Sequence, residues 1–357
     1  MQSSRQGDQI MMDLGGRSAV GKSQIDGVVR YTSGNIRIYQ LKVESFPNHF
    51  TNIYLLLDGE ATLIDVGFNS DTGRIDLEKG FATIAGGFNE NISLDDVRNI
   101  VITHGHGDHF GMLGYAKLKG KRLYMSPPDT RVINDYHSVY LEWRQHTREL
   151  SEEAGCEVNF DVLSDFGQLD IHPGDYDLIE VHDGQEIING YKVHHTPGHT
   201  PGHICIGCGP FLFLGDHILS VTTPHQVPKS LWSGGGLEVY LGSLAKAANL
   251  GFTFGLPAHE EVIDSVSRRA REIELFHYRR LDELCELCNK EKSLYELTKD
   301  YYMRHQELVH NSSIDELGTV DFILALEEIK AHVDNLVENQ RVVVTCSTDT
   351  IPRYRCS

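Results

Sequence analysis

The stretch that decides the fold is Thr103-His104-Gly105-His106-Gly107-Asp108-His109. It places three imidazoles and one carboxylate within six residues, in the pattern H-x-H-x-D-H. The backbone of so short a loop cannot easily wrap four donors around one ion, whereas two ions a few ångströms apart can share them. The stretch therefore predicts a site for two metals.

The surroundings of this stretch also favour a functional site. It follows an apolar pattern typical of a buried strand at residues 97–103, and it precedes an apolar run that begins at Phe110. Enzymes of the α/β class place their chemistry at strand ends. The alternative is a chance cluster of histidines on a solvated loop, which predicts no matching donors elsewhere in the chain.

Matching donors do occur downstream, at His199, Asp216 and His259. Each lies where an apolar run gives way to a loop. Together with residues 103–109 they supply five histidines and two aspartates. This nitrogen and oxygen donor set suits Zn²⁺.

The chain here resembles the metallo-β-lactamase superfamily, in the branch of glyoxalase II-like hydrolases. The resemblance runs from Ile36 to Glu261 and includes, in the family's order, Asn52-Ile53-Tyr54, Leu63-Ile64-Asp65-Val66-Gly67, the H-x-H-x-D-H stretch, Thr196-Pro197-Gly198-His199-Thr200, Gly215-Asp216 and Pro257-Ala258-His259. It implies a mixed α/β (α+β) fold: a four-layer αββα sandwich with a two-metal site along one edge.

The resemblance also implies a role for each donor. The first metal would be held by His104, His106 and His199, and the second by Asp108, His109 and His259, with Asp216 bridging. Two Zn²⁺ ions are expected, although the same donors accept manganese or iron. Hydroxide between the metals would be the nucleophile, which Asp108 would also orient, and no protein nucleophile is then needed.

Two further residues are expected to support the ligands from behind. Asp65 ends a strand pattern and can accept a hydrogen bond from a ligand histidine, which fixes its tautomer; the alternative is a simple turn aspartate. His203 follows His199 by four residues and could donate in the same way.

The same stretch separates hydrolysis from redox chemistry. In the oxygen-reducing di-iron branch of this fold, a glutamate replaces the second histidine, which here is His106. No sequence for a flavin domain is recognisable. A persulfide dioxygenase relative would bind one iron through fewer ligands than the seven found here.

Composition narrows the substrate class. The 357 residues are 40% hydrophobic and 23% charged, with a formal net charge of -19. Such a charge repels phosphate backbones, which favours a small-molecule substrate over nucleic acid. No apolar run approaches the ~18 residues of a membrane span, and the polar N-terminus lacks a secretory signal, so we expect a cytoplasmic protein without membrane attachment.

We expect a flexible leader at 1–28, a catalytic domain at 29–264, a helical subdomain at 265–345 and a tail at 346–357. The helical subdomain resembles the winged-helix-like tail of some glyoxalase II-like relatives. The leader contains Gly16-Arg17-Ser18-Ala19-Val20-Gly21-Lys22-Ser23, a literal phosphate-loop pattern. That motif needs a buried strand before it and a helix after it. Neither is predicted here, so we interpret the match as chance.

Candidate substrate contacts lie outside the metal motifs. Residues 130–165 form a helical insertion, predicted as a lid that contributes Tyr136, Tyr140 and Trp143; a packed surface helix or a dimer contact in a homo-oligomer is the alternative. His217 and His225 are candidates in the segment expected to cross the mouth of the site.

These observations favour a dinuclear hydrolase of a small acyl substrate: a thioester, ester or lactone. Two alternatives stay open. One is a phosphodiester or phosphotriester hydrolase, including an endoribonuclease, because the same metal pair serves attack at phosphorus. The other is a regulatory or scaffold subunit that binds metal without turnover.

Overall fold

A computed structural model describes residues 5–12, 19–167, 169–309, 313–346 and 351–357. Its larger sheet has nine strands, which lie side by side in chain order. Neighbours are antiparallel from the first strand to the sixth and parallel from the sixth to the ninth. The strands are β1 (Arg5–Met12), β2 (Ala19–Ile25), β3 (Val28–Ser33), β4 (Ile36–Phe46), β5 (His49–Leu56), β6 (Thr62–Ile64), β7 (Asn99–Val101), β8 (Arg122–Met125) and β9 (Asp177–Glu180).

A second sheet has five strands, also in chain order. Its first three pairings are antiparallel and the last is parallel. The strands are β10 (Glu186–Ile187), β11 (Tyr191–His195), β12 (Ile204–Cys208), β13 (Phe211–Gly215) and β14 (Phe254–Pro257). The sheets pack on each other through apolar side chains, as where the ring of Tyr54 lies 5.2 Å from that of Phe213.

Helices cover the outer faces of both sheets. They are α1 (Asp71–Gly87), α2 (Gly107–Phe110), α3 (Arg131–Asn134), α4 (Tyr136–Ala154), α5 (Leu237–Ala248), α6 (Val266–Leu287), α7 (Leu294–Arg304) and α8 (Thr319–Glu338). Leu77 of α1 is buried in one cluster with Leu41 of β4. Leu244 of α5 and Ile273 of α6 are buried with Leu212 of β13. The predicted αββα order of layers is confirmed.

The N-terminal residues differ from the predicted flexible leader. Strand β2 pairs with β3, β1 pairs with β2, and Val20 is fully buried. The prediction was wrong because backbone pairing at a sheet edge requires little apolar periodicity in the added strand. Lys22 and Ser23 of the phosphate-loop match lie inside β2 with no helix after them, so the described part of the match does not form a phosphate loop. Its residues 16–18 lie outside the described residues.

The C-terminal subdomain extends further than predicted. Besides α6, α7 and α8 it contains a three-stranded sheet of β15 (Lys292–Ser293), β16 (Val342–Cys346) and β17 (Pro352–Cys356), in the order β15-β17-β16. The separate tail at 346–357 was therefore a wrong boundary, because β17 pairs with both other strands.

The predicted insertion at 130–165 contains α3, α4 and most of a 3-10 segment at 160–167. The end of α4 is fixed to the C-terminal subdomain. Glu153 accepts a hydrogen bond from the hydroxyl of Tyr354 at 2.6 Å and forms an ion pair with Lys330 at 3.2 Å. Among the helices of the described ranges, none has the length and apolar character needed to cross a bilayer.

Candidate metal centre

The predicted ligands come together at one edge of the sandwich. His104, His106, Asp108 and His109 follow β7 of the larger sheet, and the last two belong to the first turn of α2. His199, Asp216 and His259 follow β11, β13 and β14 of the smaller sheet. Parallel strands end at a common edge, which is why donors far apart in sequence meet there.

The first donor group consists of His104, His106 and His199, whose nearest ring nitrogens all lie within 4.8 Å of one another. Nε2 of His104 is 3.1 Å from Nδ1 of His106. His104 and His199 are buried, while His106 is partly exposed. The three rings thus present nitrogens to one shared point on the edge of the fold.

The second donor group lies beside the first. Oδ2 of Asp108 is 3.3 Å from Nε2 of His259 and 3.6 Å from Nε2 of His109. Both imidazoles are buried, and the Asp108 carboxylate is 14% exposed. This group therefore has one face open toward solvent.

Asp216 lies between the two groups and presents one oxygen to each. Its Oδ1 is 3.6 Å from Nε2 of His109 and 3.3 Å from Nε2 of His259. Its Oδ2 is 3.6 Å from Nε2 of His199. A carboxylate in this position can bridge two cations.

Hydrogen bonds fix which nitrogen of three rings faces the centre. Nδ1 of His109 lies 2.9 Å from Oδ2 of Asp65, and Nδ1 of His199 and of His259 lie 2.9 and 2.7 Å from backbone carbonyl oxygens. These oxygens can only accept, so each Nδ1 carries the proton. The lone pair of Nε2 then points into the site, as in metal-ligating histidines.

The donors fit a cation. Within the described part of the chain, Nε2 of His109, Nε2 of His199 and Oδ1 of Asp216 are buried without a hydrogen-bond partner. Buried polar atoms are nearly always satisfied, so three unsatisfied atoms at one point call for a ligand. Nitrogen lone pairs facing a carboxylate oxygen are the chemistry of a divalent metal site.

The protonation states of five of the seven donors agree with this assignment directly. Burial lowers the pKa of His104 and His199, and it lowers that of His106 to about 3, so these rings are neutral at pH 7. Burial raises the pKa of Asp108 and Asp216, but the neighbouring imidazoles outweigh it and hold both well below the usual range. Neutral imidazoles and ionised carboxylates are the forms that bind metal. Burial lowers the pKa of His109 and His259, but the carboxylates of Asp108 and Asp216 outweigh it and raise the pKa of His109 to about 10 and that of His259 well above its usual value. Metal binding would therefore release a proton from each of these two rings.

Asp65 and His203 lie behind the ligands. The Asp65 carboxylate contacts His109 and also accepts a hydrogen bond from the hydroxyl of Thr103 at 2.8 Å. The oxygen of that hydroxyl lies 3.1 Å from Nδ1 of His104. Nε2 of the fully buried His203 accepts the backbone N–H of Asp216 at 3.2 Å. Both residues therefore contact the donor set from its inner side.

Two residues of the site were not predicted from the sequence. Buried Asp129 accepts hydrogen bonds from the amides of Gly105 and Gly202 and from the hydroxyl of Thr200, at 2.8, 2.7 and 2.6 Å. It thus ties the first metal loop to the His199 loop. Asp129 follows β8, the parallel neighbour of β7, and that position was the signal available in the sequence.

The other missed residue is His49, at the start of β5. Its Nε2 lies 3.0 Å from Oδ2 of Asp108, and its ring is 4.5 Å from that of His259. It groups with Asp108 and His259 as a potential ligand triad, and its side chain is nearly half exposed. No motif in the sequence singles it out.

Three of the predicted substrate contacts need correction. Tyr140 is buried and donates its hydroxyl to the carbonyl of Leu163 at 2.9 Å. His217 is fully buried behind the site, between the rings of His203 and Tyr240. Both point inward because they belong to the packed layers behind the site, so neither reaches the opening.

The third correction concerns His225, whose ring turns toward α8. Its Nε2 is 3.0 Å from Glu327, and its Nδ1 is 3.4 Å from Glu328. Burial lowers the pKa of His225, but the two carboxylates outweigh it and raise the pKa to about 9. Its imidazole is thus engaged by protein carboxylates instead of facing a substrate.

The remaining two candidates lie on α4. The ring of half-buried Tyr136 packs against Phe110 at 5.9 Å. Trp143 lines a cavity of about 180 Å³ together with Trp232, Pro201 and Val139. Pro201 is two residues from His199, so this cavity adjoins one of the metal loops.

Comparison with known proteins agrees with the fold. Residues 47–259 match the sequence profile of the Metallo-beta-lactamase superfamily, and the chain belongs to this superfamily. The chain is 26% identical over 229 residues to "Lactamase-like protein aptB" of Emericella nidulans, covering 62% of this chain and 55% of that protein. It therefore spans little more than half the length of that relative.

Other relatives match a similar share. The chain is 27% identical over 242 residues to "Beta-lactamase-like protein 2 homolog" of Drosophila melanogaster, covering 67% of this chain and 68% of that protein. It is 24% identical over 228 residues to "Probable metallo-hydrolase YqjP" of Bacillus subtilis, covering 60% and 68%. Members of this superfamily are generally hydrolases.

Solved structures extend the likeness in fold over most of the chain. The metallo-beta-lactamase family protein TTHA1429 from Thermus thermophilus superposes with a TM-score of 0.72 at 24% identity, covering 90% of this chain and 98% of the other. A beta-lactamase domain protein from Burkholderia ambifaria gives 0.70 at 22% identity, covering 90% and 92%.

Proposed function

We propose that this chain is a metal-dependent hydrolase that holds two divalent ions and cleaves a small acyl substrate: a thioester, ester or lactone. The observation that carries the proposal is the position of Asp216, with one oxygen toward His199 and the other toward His109 and His259. With a single ion bound, one of these two carboxylate oxygens would have no cation to coordinate. The donors that would hold the ions are His104, His106 and His199 on one side, and Asp108, His109 and His259 on the other.

Bound there, paired ions supply a water-derived nucleophile at neutral pH and polarise the carbonyl under attack. The chain's own residues have separate roles in this proposal. Asp108, on the open side of the site, orients the attacking water by accepting its hydrogen bond. His49 holds the Asp108 carboxylate at 3.0 Å.

The donor set supports zinc, because neutral imidazoles and carboxylates are its usual nitrogen and oxygen ligands. The formal net charge of -19 supports a small acyl substrate over a nucleic acid, which such a surface repels. The order of the motifs supports a glyoxalase II-like branch. The helices and the small sheet after residue 265 support a winged-helix-like subdomain, and the net charge of the chain favours a packing role for it over DNA binding.

The test is a panel of thioester, ester, lactone and fluorescent RNA substrates, offered to zinc-loaded protein. We expect hydrolysis of at least one acyl substrate and none of RNA. His104→Ala and Asp108→Ala should reduce turnover to background and lower the zinc content. His172→Ala, an exposed histidine far from these ligands in sequence, is the matched control and should retain both.

Three outcomes of the panel would contradict the proposal. Full activity of metal-free protein would exclude the metal-dependent mechanism. Cleavage of RNA without acyl hydrolysis would favour a nuclease. Protein that binds metal and hydrolyses nothing would favour a regulatory or scaffold role.

A further inference from the structure

Helix α8 places two neighbouring glutamates against the segment that follows Asp216. Oε2 of Glu327 lies 3.0 Å from Nε2 of His225, and Oε2 of Glu328 accepts the backbone N–H of Gln226 at 2.7 Å. The side chains of Glu327 and Glu328 are 2% and 8% exposed. Acidic side chains are almost never buried this deeply without a specific partner. The burial therefore indicates that the contacts with His225 and Gln226 are specific.

The segment of His225 and Gln226, which these glutamates contact, in turn binds a candidate metal ligand. The backbone carbonyl of His225 accepts the Nδ1–H of His199 at 2.9 Å. That bond sets the tautomer of His199 and points its buried, unsatisfied Nε2 at Asp216. Any shift of the His225 peptide therefore moves or rotates the ring of His199.

The glutamates are themselves anchored within the C-terminal subdomain. Glu328 forms a buried ion pair with Arg280 of α6, and Nε of Arg280 donates to the hydroxyl of Tyr301 of α7 at 3.0 Å. All three long helices of the subdomain thus meet at this point. Buried hydrogen-bond networks of this kind have few alternative arrangements. The position of α8 therefore fixes the position of His225.

A second reading of the same cluster is a separate metal site, since His277, Glu328 and His332 also lie close together. The guanidinium of Arg280 on Glu328 opposes a cation there. Nδ1 of His277 already lies 3.0 Å from Nε2 of His332, and Nδ1 of His332 donates to the Glu328 carbonyl at 2.7 Å. The cluster is therefore better suited to holding α8 than to binding an ion.

We propose that Glu327 and Glu328 are positioning residues for the metal ligand His199, acting through the side chain and backbone of His225. The C-terminal subdomain then completes the metal centre instead of only packing beside it. This inference rests on the proposed metal-dependent function, because it assigns the two glutamates a role toward the ions that His199 would bind.

The test is a double-mutant cycle with zinc affinity as its readout. Zinc is titrated against a chromophoric chelator in Glu327→Ala, in His225→Ala and in the double variant. We expect roughly a tenfold weaker affinity for one of the two ions in each single variant, the scale found when partners of metal ligands are removed. The double variant should be no weaker than the weaker single variant, since both changes break the same connection.

Glu338→Ala is the matched control. It removes a glutamate of the same helix that pairs with Lys229 in the same segment, at 2.9 Å, but this pair is exposed and has no bond to a ligand. Its zinc affinity should equal that of the parent. Thermal unfolding of the metal-free proteins separates metal effects from stability, and Glu327→Gln replaces Glu327→Ala if the latter fails to fold.

Each outcome bears on a different statement. Zinc affinities within twofold of the parent in all variants, or an equal loss in Glu338→Ala, overturn the positioning role even if the parent hydrolyses acyl substrates. A parent that binds two ions but hydrolyses nothing overturns the proposed function, while a loss of affinity in Glu327→Ala still supports the positioning role. A parent that binds no ion overturns both.

Discussion

Oδ2 of Asp65 lies 2.9 Å from Nδ1 of His109, and both side chains are almost fully buried. The same carboxylate accepts hydrogen bonds from the backbone N–H of Thr103, at 2.8 Å, and from its hydroxyl. One aspartate at the end of β6 thus orients a ligand of the second donor group directly and reaches His104 of the first group through Thr103.

Asp65→Asn should weaken both donor groups at once. It removes the charge and one of the acceptors that keep the proton on Nδ1 of His109. We expect zinc affinity to fall roughly 10- to 100-fold, measured by competition with a chromophoric chelator. Asp71→Asn, at a fully accessible position on α1, is the control. Unchanged affinity in Asp65→Asn would mean that the ring of His109 is held by packing alone.

Asp129→Asn should lower stability more than it alters the ligands themselves. An amide in place of the carboxylate sets an N–H against donors from Gly105, Gly202 or Thr200. We expect the free energy of unfolding to fall by about 2 kcal/mol, measured by urea denaturation. Exposed Asp264→Asn should leave it unchanged. A loss of the same size in both variants would contradict a specific role for Asp129.

Gly215→Ala should displace the residues behind the metal site. Gly215 has φ of 49°, and an added Cβ would come within 2.7 Å of Nε2 of His203 and of Oγ1 of Thr103. We expect a loss of about 1 kcal/mol or more in unfolding free energy from the backbone strain alone, together with weaker zinc binding. Gly242→Ala in α5 meets no atom within 4 Å and should be neutral or slightly stabilising, because alanine favours a helix more than glycine does. An equal loss at both sites would refute the prediction.

Acid should destabilise the protein through the C-terminal subdomain. Burial lowers the pKa of His332 to about 4, so between pH 6.5 and 4 the unfolded chain binds this proton while the folded chain does not. Stability therefore falls as pH drops through that window, by on the order of 2 kcal/mol between pH 7 and pH 5. Urea denaturation of metal-free protein at several pH values should show it. The slope should be shallower in His332→Gln and unchanged in His172→Gln; identical slopes in all three proteins would contradict the assignment.

The sequence predicted the seven donors because they lie in loops that follow apolar runs, and strand ends converge in a sandwich of this kind. Asp65 and His203 were accessible for the same reason, since they neighbour those motifs. The fold layers followed from the family's order of motifs. These features depend on local pattern and on a known topology, both of which a single sequence contains.

The rest depends on contacts between distant segments. Asp129 reaches Gly105 across 24 residues, and Glu327 reaches His225 across 102. No residue beside Glu327 distinguishes its carboxylate from a solvated one, and the sequence marks Asp129 only by its position after β8. The strands in the predicted leader were missed for a related reason, because an edge strand is held by backbone pairing with β3 and not by its own apolar pattern.

The seven donors divide between the two sheets, four after β7 and three after strands of the smaller sheet. Neither half of the chain holds a complete set. During synthesis, residues 104–109 emerge first and have only part of a coordination sphere until His259 has left the ribosome and both sheets have packed. Tight metal loading would then be a late step of maturation, and a chain that stalls or misfolds in its C-terminal half would never acquire a competent metal centre.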